Sequence, residues 1–445
     1  MKNMKKALLF SIMICTFLLA GAQEKEMVTK TGWNFGALPT ITFDTDLGFQ
    51  YGALVNLYNY GDGSRFPSYN HSLYFEVSRF TKGSGINRFY YDSDRLIKGL
   101  QTSVDVSYLS DQAYDFYGFN GYDAFYNADW IDDEQPGHIY KTRMFYKYDR
   151  KLFRFKVDLQ GKLAGDHLRW ITGWNFQNFK IAGVNLEKLN KNKEGDELLP
   201  DVDGLYQLYQ EWGLISGDEV DGGFVPTFKG GVVFDTRDNR PNPMKGVWTE
   251  AVVEAAPEFL GSESSFAKLA LIHRQYFTLV PRNLSLVYRL AYQTTLAGEV
   301  PFYYQSQVIT SILTGALSEG LGGAKTLRGV LRNRVVGDGF FYGNLEARWK
   351  FVRFNFIKNN FYLGLNGFAD FGKVTKKIDF VMPTHFGPYQ KADFFKPGNE
   401  KFHTSVGAGL RIAMNENFVI AVDYGRALNE QDGKSGMYIG LNYLF

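Results

Sequence analysis

Histidine is the side chain best suited to metal or acid–base chemistry, and six are scattered at positions 71, 138, 167, 273, 385 and 403. None stands four residues from another and no cysteine lies beside them, so the donor set zinc requires is not expected. Asp44-Thr45-Asp46 offers two carboxylates, but at a tight hairpin, where aspartates are ordinary turn residues rather than calcium ligands. Ser262, Ser264 and Ser265 follow Gly261 outside a Gly-x-Ser-x-Gly frame, which leaves no nucleophile elbow and little ground for a lipase. Neither a phosphate loop nor a dinucleotide fingerprint is present. No enzyme activity, metal or small-molecule cofactor is therefore expected. The chemistry that remains is electrostatic and lies in rows: Arg154, Lys156 and Lys162 recur on one face of a segment whose other face is Phe153, Phe155, Val157 and Leu159.

That period of two is the mark of strands, and it recurs along the chain. From 341 to 351, Phe341, Leu345, Ala347, Trp349 and Phe351 alternate with Tyr342, Asn344, Glu346, Arg348 and Lys350. Leu47, Phe49, Tyr51, Val55 and Leu57 repeat the pattern. Alternation alone fits a half-buried soluble sheet as well. Length separates the two, because soluble strands have a mode of about 5–6 residues while membrane-crossing strands need about 9–11. Long strand-like stretches fall at about 32–43, 47–60, 69–81, 96–109, 138–150, 151–163, 167–182, 224–236, 245–257, 265–280, 283–297, 337–352, 359–373, 403–414, 417–427 and 436–445. The expected fold is an all-β transmembrane antiparallel barrel of about sixteen strands, an even number as single-chain bacterial barrels require. Short turns such as Val280–Asn283, Asn415–Asn417 and Asp238–Gly246 then alternate with long loops at 183–223, 298–336 and 374–402 on the opposite side. The long segment 110–137 breaks this rule, falling on the short-turn side. Within 183–223, Leu205, Leu208, Tyr209 and Trp212 take helical spacing, as in a short helix capping the barrel.

Composition agrees with a barrel: Phe 39, Tyr 28, Trp 7 and Gly 47, with charged residues at 22%. Lys2, Lys5 and Lys6, the apolar run Ala7–Leu19 and Ala20-Gly21-Ala22 read as a cleaved signal peptide over 1–22, leaving 23–445 as the barrel. The only cysteine, Cys15, falls in that leader, so no thiol chemistry is expected after cleavage. Removing three leader lysines takes the net charge from +2 to −1, with no bias toward nucleic acid. The last ten residues place Met437, Ile439, Leu441, Tyr443 and Phe445 on one face of an expected final strand. With Gly440, Tyr443 and Phe445 they resemble the C-terminal signal that outer-membrane barrels present to their assembly machinery.

Two stretches go further. Phe234-Asp235-Thr236-Arg237-Asp238-Asn239-Arg240-Pro241-Asn242-Pro243-Met244-Lys245-Gly246, and Thr326-Leu327-Arg328-Gly329-Val330 followed by Gly343–Arg348, resemble the bacterial surface antigen barrel of the BamA/TamA superfamily. Members insert or translocate proteins at the outer membrane. The resemblance implies that Asp235, Arg237, Asp238, Asn239, Pro243 and Gly246 form the periplasmic turn between strands eight and nine. It also implies a lumen-inserted loop between strands eleven and twelve that carries Arg328 and Gly329, with the arginine held by Glu346 and by Asp370. Val330 stands where the family commonly has Phe or Tyr. Assembly members carry periplasmic repeats ahead of the barrel; here strand one begins near Gly32, which leaves no room for one after the leader. The resemblance points to the cell outer membrane. The partners implied are its lipids and other outer-membrane or periplasmic proteins, not nucleic acid. A passive channel for small solutes is the alternative function.

Overall fold

The structure, a computed structural model, describes residues 28–44, 48–134, 139–312 and 320–445. The expected leader with Cys15, Thr45 and Asp46 of the acidic hairpin, and His138 lie outside the described residues. Alternation becomes sixteen antiparallel strands: β1 (Trp33–Asp44), β2 (Gly48–Asn59), β3 (His71–Phe80), β4 (Gly85–Ile97), β5 (Leu100–Asp115), β6 (Lys147–Ala164), β7 (Leu168–Ala182), β8 (Gly222–Asp235), β9 (Gly246–Ala256), β10 (Phe266–Val280), β11 (Leu284–Gly298), β12 (Gly339–Phe356), β13 (Asn359–Lys376), β14 (His403–Met414), β15 (Phe418–Ala427) and β16 (Ser435–Leu441). Each pairs with its neighbours in sequence in one sheet ordered β1 to β16. The sheet is a barrel turned inside out relative to a soluble core. Phe153 and Leu345 on its outer face are 47% and 45% exposed, while Arg154 and Glu346 on its inner face are 2% and 0% exposed. Among the described residues no helix is long and apolar enough to cross a bilayer, and strands of ten to eighteen residues over β1–β15 are long enough to do so.

The count of sixteen expected from sequence holds, but two strands differ. Gly85–Ile97 is a strand that alternation did not reveal, and the expected strand 96–109 straddles the turn Lys98-Gly99, where Gly99 takes φ +84°. The expected strands 138–150 and 151–163 are one strand, β6, preceded by a loop. Recovering β4 moves residues 116–146 to the same end as the other long connections, 183–221, 299–338 and 377–402. The exception raised by 110–137 disappears, since 110–115 belong to β5 and the rest is a long-end loop.

The long-end loops pack into a dome. Phe116, Phe119, Tyr209, Phe302, Phe394 and Phe395 share one buried cluster, into which the helix Leu205–Glu211 inserts Leu205, Leu208 and Tyr209. Arg334 ties three loops together: Nη1 donates to the Gly121 carbonyl (2.9 Å), Nη2 to Ala124 (2.8 Å) and Nε to Gln431 (2.6 Å). Beside it the His403 ring stacks on Tyr122 at 3.8 Å, with Nδ1 2.5 Å from Asp432 and Nε2 3.3 Å from Glu400. Burial alone would lower the pKa of neighbouring Arg332, but Asp111 and Asp115, which it contacts at 3.0 and 2.6 Å, hold it well above its usual value. Each buried carbonyl orphaned by Arg334→Met costs about 1–3 kcal/mol. The variant should therefore expose the 116–146 loop to added protease while the strands stay protected, and unchanged cleavage would count against Arg334 as the clamp.

Candidate functional site: the lumen loop and its anchors

The described parts of the connection between β11 and β12, 299–312 and 320–338, turn into the barrel, and the first is bound to the wall by polar side chains of inward parity. Lys229 donates to the Thr310 carbonyl at 2.9 Å and pairs with Asp158 at 2.9 Å; Gln293 donates to the Gln307 carbonyl at 2.8 Å. Tyr304 donates to Glu254 at 2.5 Å. Lys229, Asp158 and Glu254 are tolerated in the lumen because each meets a partner.

The returning arm carries Arg328, which is fully buried. Its Nε and Nη2 donate to the two oxygens of Asp370, both at 2.9 Å, and Nη1 lies 2.6 Å from Glu346. The backbone N–H of Arg328 donates to the same Asp370, and the guanidinium lies 3.5 Å from the Phe368 ring centroid. A planar fork against two carboxylates is the strongest pairing this chemistry allows. Asp423, 3.7 Å from Arg328, is itself held by both terminal nitrogens of Arg411 at 2.9 Å. Sequence reading missed Asp423 and Phe368. Their signal was parity alone, as Asp423 is an acidic residue on the inward row of β15.

Gly329 adopts φ +96°, and a Cβ there would lie 2.5 Å from the backbone carbon of Gly425. The loop therefore lies backbone to backbone on β15, and the Gly329 N–H donates to the Tyr438 hydroxyl at 3.0 Å. Val330, with Leu327, packs in a buried cluster with Leu321, Val335, Phe340 and Val374. Gly329→Ala combines a disfavoured backbone with a clash and is expected to cost about 1–3 kcal/mol or more. Urea unfolding that matches the unsubstituted barrel would show that the loop can shift away.

The β8–β9 turn is built on Asp235 and Asp238. Asp235 takes the Arg237 guanidinium on both oxygens (2.9 and 2.8 Å), and the guanidinium also lies 3.8 Å from the Trp248 ring centroid. Asp238 accepts the N–H groups of Asn239, Met244 and Lys245, and Gly246 closes the turn at φ +110°. Pro243 lies just before Met244 in this closure. Beyond these local bonds, Arg240 donates to Gln101 on β5, and Asn242 donates to Glu416 in the β14–β15 turn at 2.8 Å. The turn is thus a strap across the short-turn end of the lumen.

The final strand is shorter than alternation suggested. Gly440 pairs with Ala421 on β15, but β16 ends at Leu441 because Asn442 takes φ +67° and sends the chain inward. Tyr443, Leu444 and Phe445 are buried, not aligned with Met437 and Ile439. Arg348, paired with Glu346 at 2.7 Å, donates to the Phe445 carbonyl at 3.0 Å and sits over the Tyr443 ring at 4.3 Å. No ladder joins β1 to β16 among the described residues. Where β16 has left the sheet, Phe418 of β15 packs against Leu38, Leu54 and Tyr58, and its ring occupies the space a Cβ on Gly36 would need.

The Omp85 superfamily domain matches residues 69–445. The chain belongs to the Omp85 superfamily. The fold is similar to that of CdiB from Escherichia coli, with TM-score 0.52 and 9% identity over 92% of this chain and 61% of that one. BamA from Haemophilus ducreyi lacking POTRA domains 1–3 aligns with TM-score 0.49 and 13% identity, over 93% of this chain and 70% of that one. None of the curated proteins matches the chain in sequence. Relatives in the Omp85 superfamily are outer-membrane β-barrels, and the single sheet of sixteen antiparallel strands found here is of that kind.

Proposed function

We propose that this Omp85 barrel inserts or translocates polypeptides at the outer membrane by parting the seam between β1 and β16. In this reading the long-loop dome faces outward and the strap faces the periplasm. The observation that carries it is the contrast between the seam and every other joint. Fifteen neighbouring pairs share ladders, whereas β1 meets the far edge of the sheet through side-chain packing of Gly36 and Leu38 on Phe418, backed from β2 by the Tyr58 hydroxyl, which donates to the Asn417 carbonyl at 3.1 Å. Gly36 and Pro39 weaken β1 further as a pairing partner. The Arg328 node supports the same reading, since it fixes the lumen loop to β12, β13 and β15, next to the strand that would move. Gly440, Tyr443 and Phe445 would be read as an assembly signal before folding, because Tyr443 and Phe445 are enclosed afterwards. Lumen insert and strap together weigh against a steady solute pore.

Phe35 and Ala37 on β1, and Met437 and Ile439 on β16, face outward, so cysteine pairs drawn from them test the mechanism. An oxidised pair that seals the seam should abolish insertion of a client barrel into liposomes, and reduction should restore it. Full activity in the sealed barrel would remove lateral opening from the mechanism.

A further inference from the structure

At the short-turn end, four successive turns converge on a cavity of about 170 Å³ that none of the foregoing uses. Arg65 comes from the β2–β3 turn, Arg169 from the start of β7, and Arg237 and Arg240 from the strap. Two of these guanidiniums are already occupied: Arg65 by Asp94, at 2.5 and 3.1 Å, and Arg237 by Asp235. The other two are less engaged. Arg240 donates one nitrogen to Gln101 and pairs with Asp235 only at 3.8 Å, and the Arg169 side chain has no hydrogen bond or ion pair among the described residues. The remaining acid of the lining, Asp238, is turned to the N–H groups of its own turn.

We infer that this cavity binds a phosphate-type oxyanion entering from the periplasm; the direction of entry rests on the orientation proposed above. One open fork, Arg169, and the partly engaged Arg240, together with the filled forks of Arg65 and Arg237, give an arginine-lined enclosure with donors arriving from several turns. That arrangement suits a tetrahedral dianion better than a planar carboxylate, which a single guanidinium fork satisfies. Arg169 lies on the inward row of β7, so the ligand reaches it through the lumen mouth and not from the bilayer. The strap supplies two of the four arginines, so an occupant would hold it to β7 and to the β2–β3 turn.

Titration of the folded full chain in detergent with inorganic phosphate, followed by calorimetry and by phosphorus NMR, tests this. Saturable binding at physiological ionic strength is expected. Arg169→Gln and Arg240→Gln should each weaken it about tenfold or more, while Arg353→Gln, on the same rim outside the cavity, should leave it unchanged. Arg169→Lys, which keeps the charge but loses the fork, should fall between them, and heat-modifiable gel mobility confirms that each variant is folded. Absent saturation, equal binding by Arg169→Gln, or binding of an acidic peptide without any response to phosphate would each overturn the assignment. The measurement needs no seam opening, so a seam-locked barrel should bind phosphate as well as the free one. A failed translocation mechanism would therefore leave this result intact.

Discussion

Arg328→Met is expected to lower the stability of the folded barrel by about 3–5 kcal/mol, the cost of stripping the partner from a buried charge. The loss should fall mainly on one group. Glu346 keeps Arg348 and Asp423 keeps Arg411, but Asp370 loses both forked bonds and retains only the backbone N–H of residue 328. Arg328→Lys should recover little, because one ammonium cannot span Asp370 and Glu346 with parallel bonds. Adding Asp370→Asn to Arg328→Met should recover part of the loss, since the two residues are in direct contact and their effects are not additive. Urea unfolding followed by tryptophan fluorescence, with gel mobility as a second probe, reads all three. An Arg328→Met barrel within about 1 kcal/mol of the parent would mean that the lumen at this depth is wet enough to screen the pair.

Phe445→Ala should show a second large effect with two separable parts. The side chain is buried beside Trp248, Tyr276 and Val287, with Arg348 and Arg289 about 5 Å from its ring centroid. Truncating a buried phenylalanine costs about 3–5 kcal/mol, and the lower end is expected here because the lumen can admit water to the space left. If Phe445 also serves assembly, the yield of folded barrel in cells should fall further than the stability loss explains. Phe445→Leu, which keeps most of the volume, separates the two. Near-normal unfolding with poor assembly would mark a recognition role, and parallel losses would leave only the packing one.

The sheet was legible where one face of a strand is plainly apolar and the other polar, as in β6 and β12. It was illegible where physics blurs that contrast. In β4, Phe89 and Tyr91 on one row face Arg88, Tyr90, Asp92 and Asp94 on the other, so aromatics occupy both faces. At the top of β6 the adjacent charges Arg150 and Lys151 broke the period, because the strand there has risen above its apolar outer band. Ile139, Met144 and Phe145 looked like strand residues, yet the last two fill the dome from a loop. The inward turn at Asn442 was hidden for a different reason: nothing local forbids Tyr443 and Phe445 from continuing the alternation, and only the waiting lumen partners favour the turn. The positions of Arg328, Glu346 and Asp370 came through family likeness, while Asp423, Phe368 and Gly425 needed the three-dimensional register.

The strap between β8 and β9 is anchored at well-separated points on the circumference, to Gln101 on β5 and to Glu416 beyond β14. It behaves as a spoke that gauges the diameter of the rim. If parting the first and last strands lets the rim widen, the spoke must let go at one end, and the two events share a single free-energy balance. Whatever tightens the spoke then resists widening by the same amount, and a polypeptide that loosens it from below would make widening correspondingly easier.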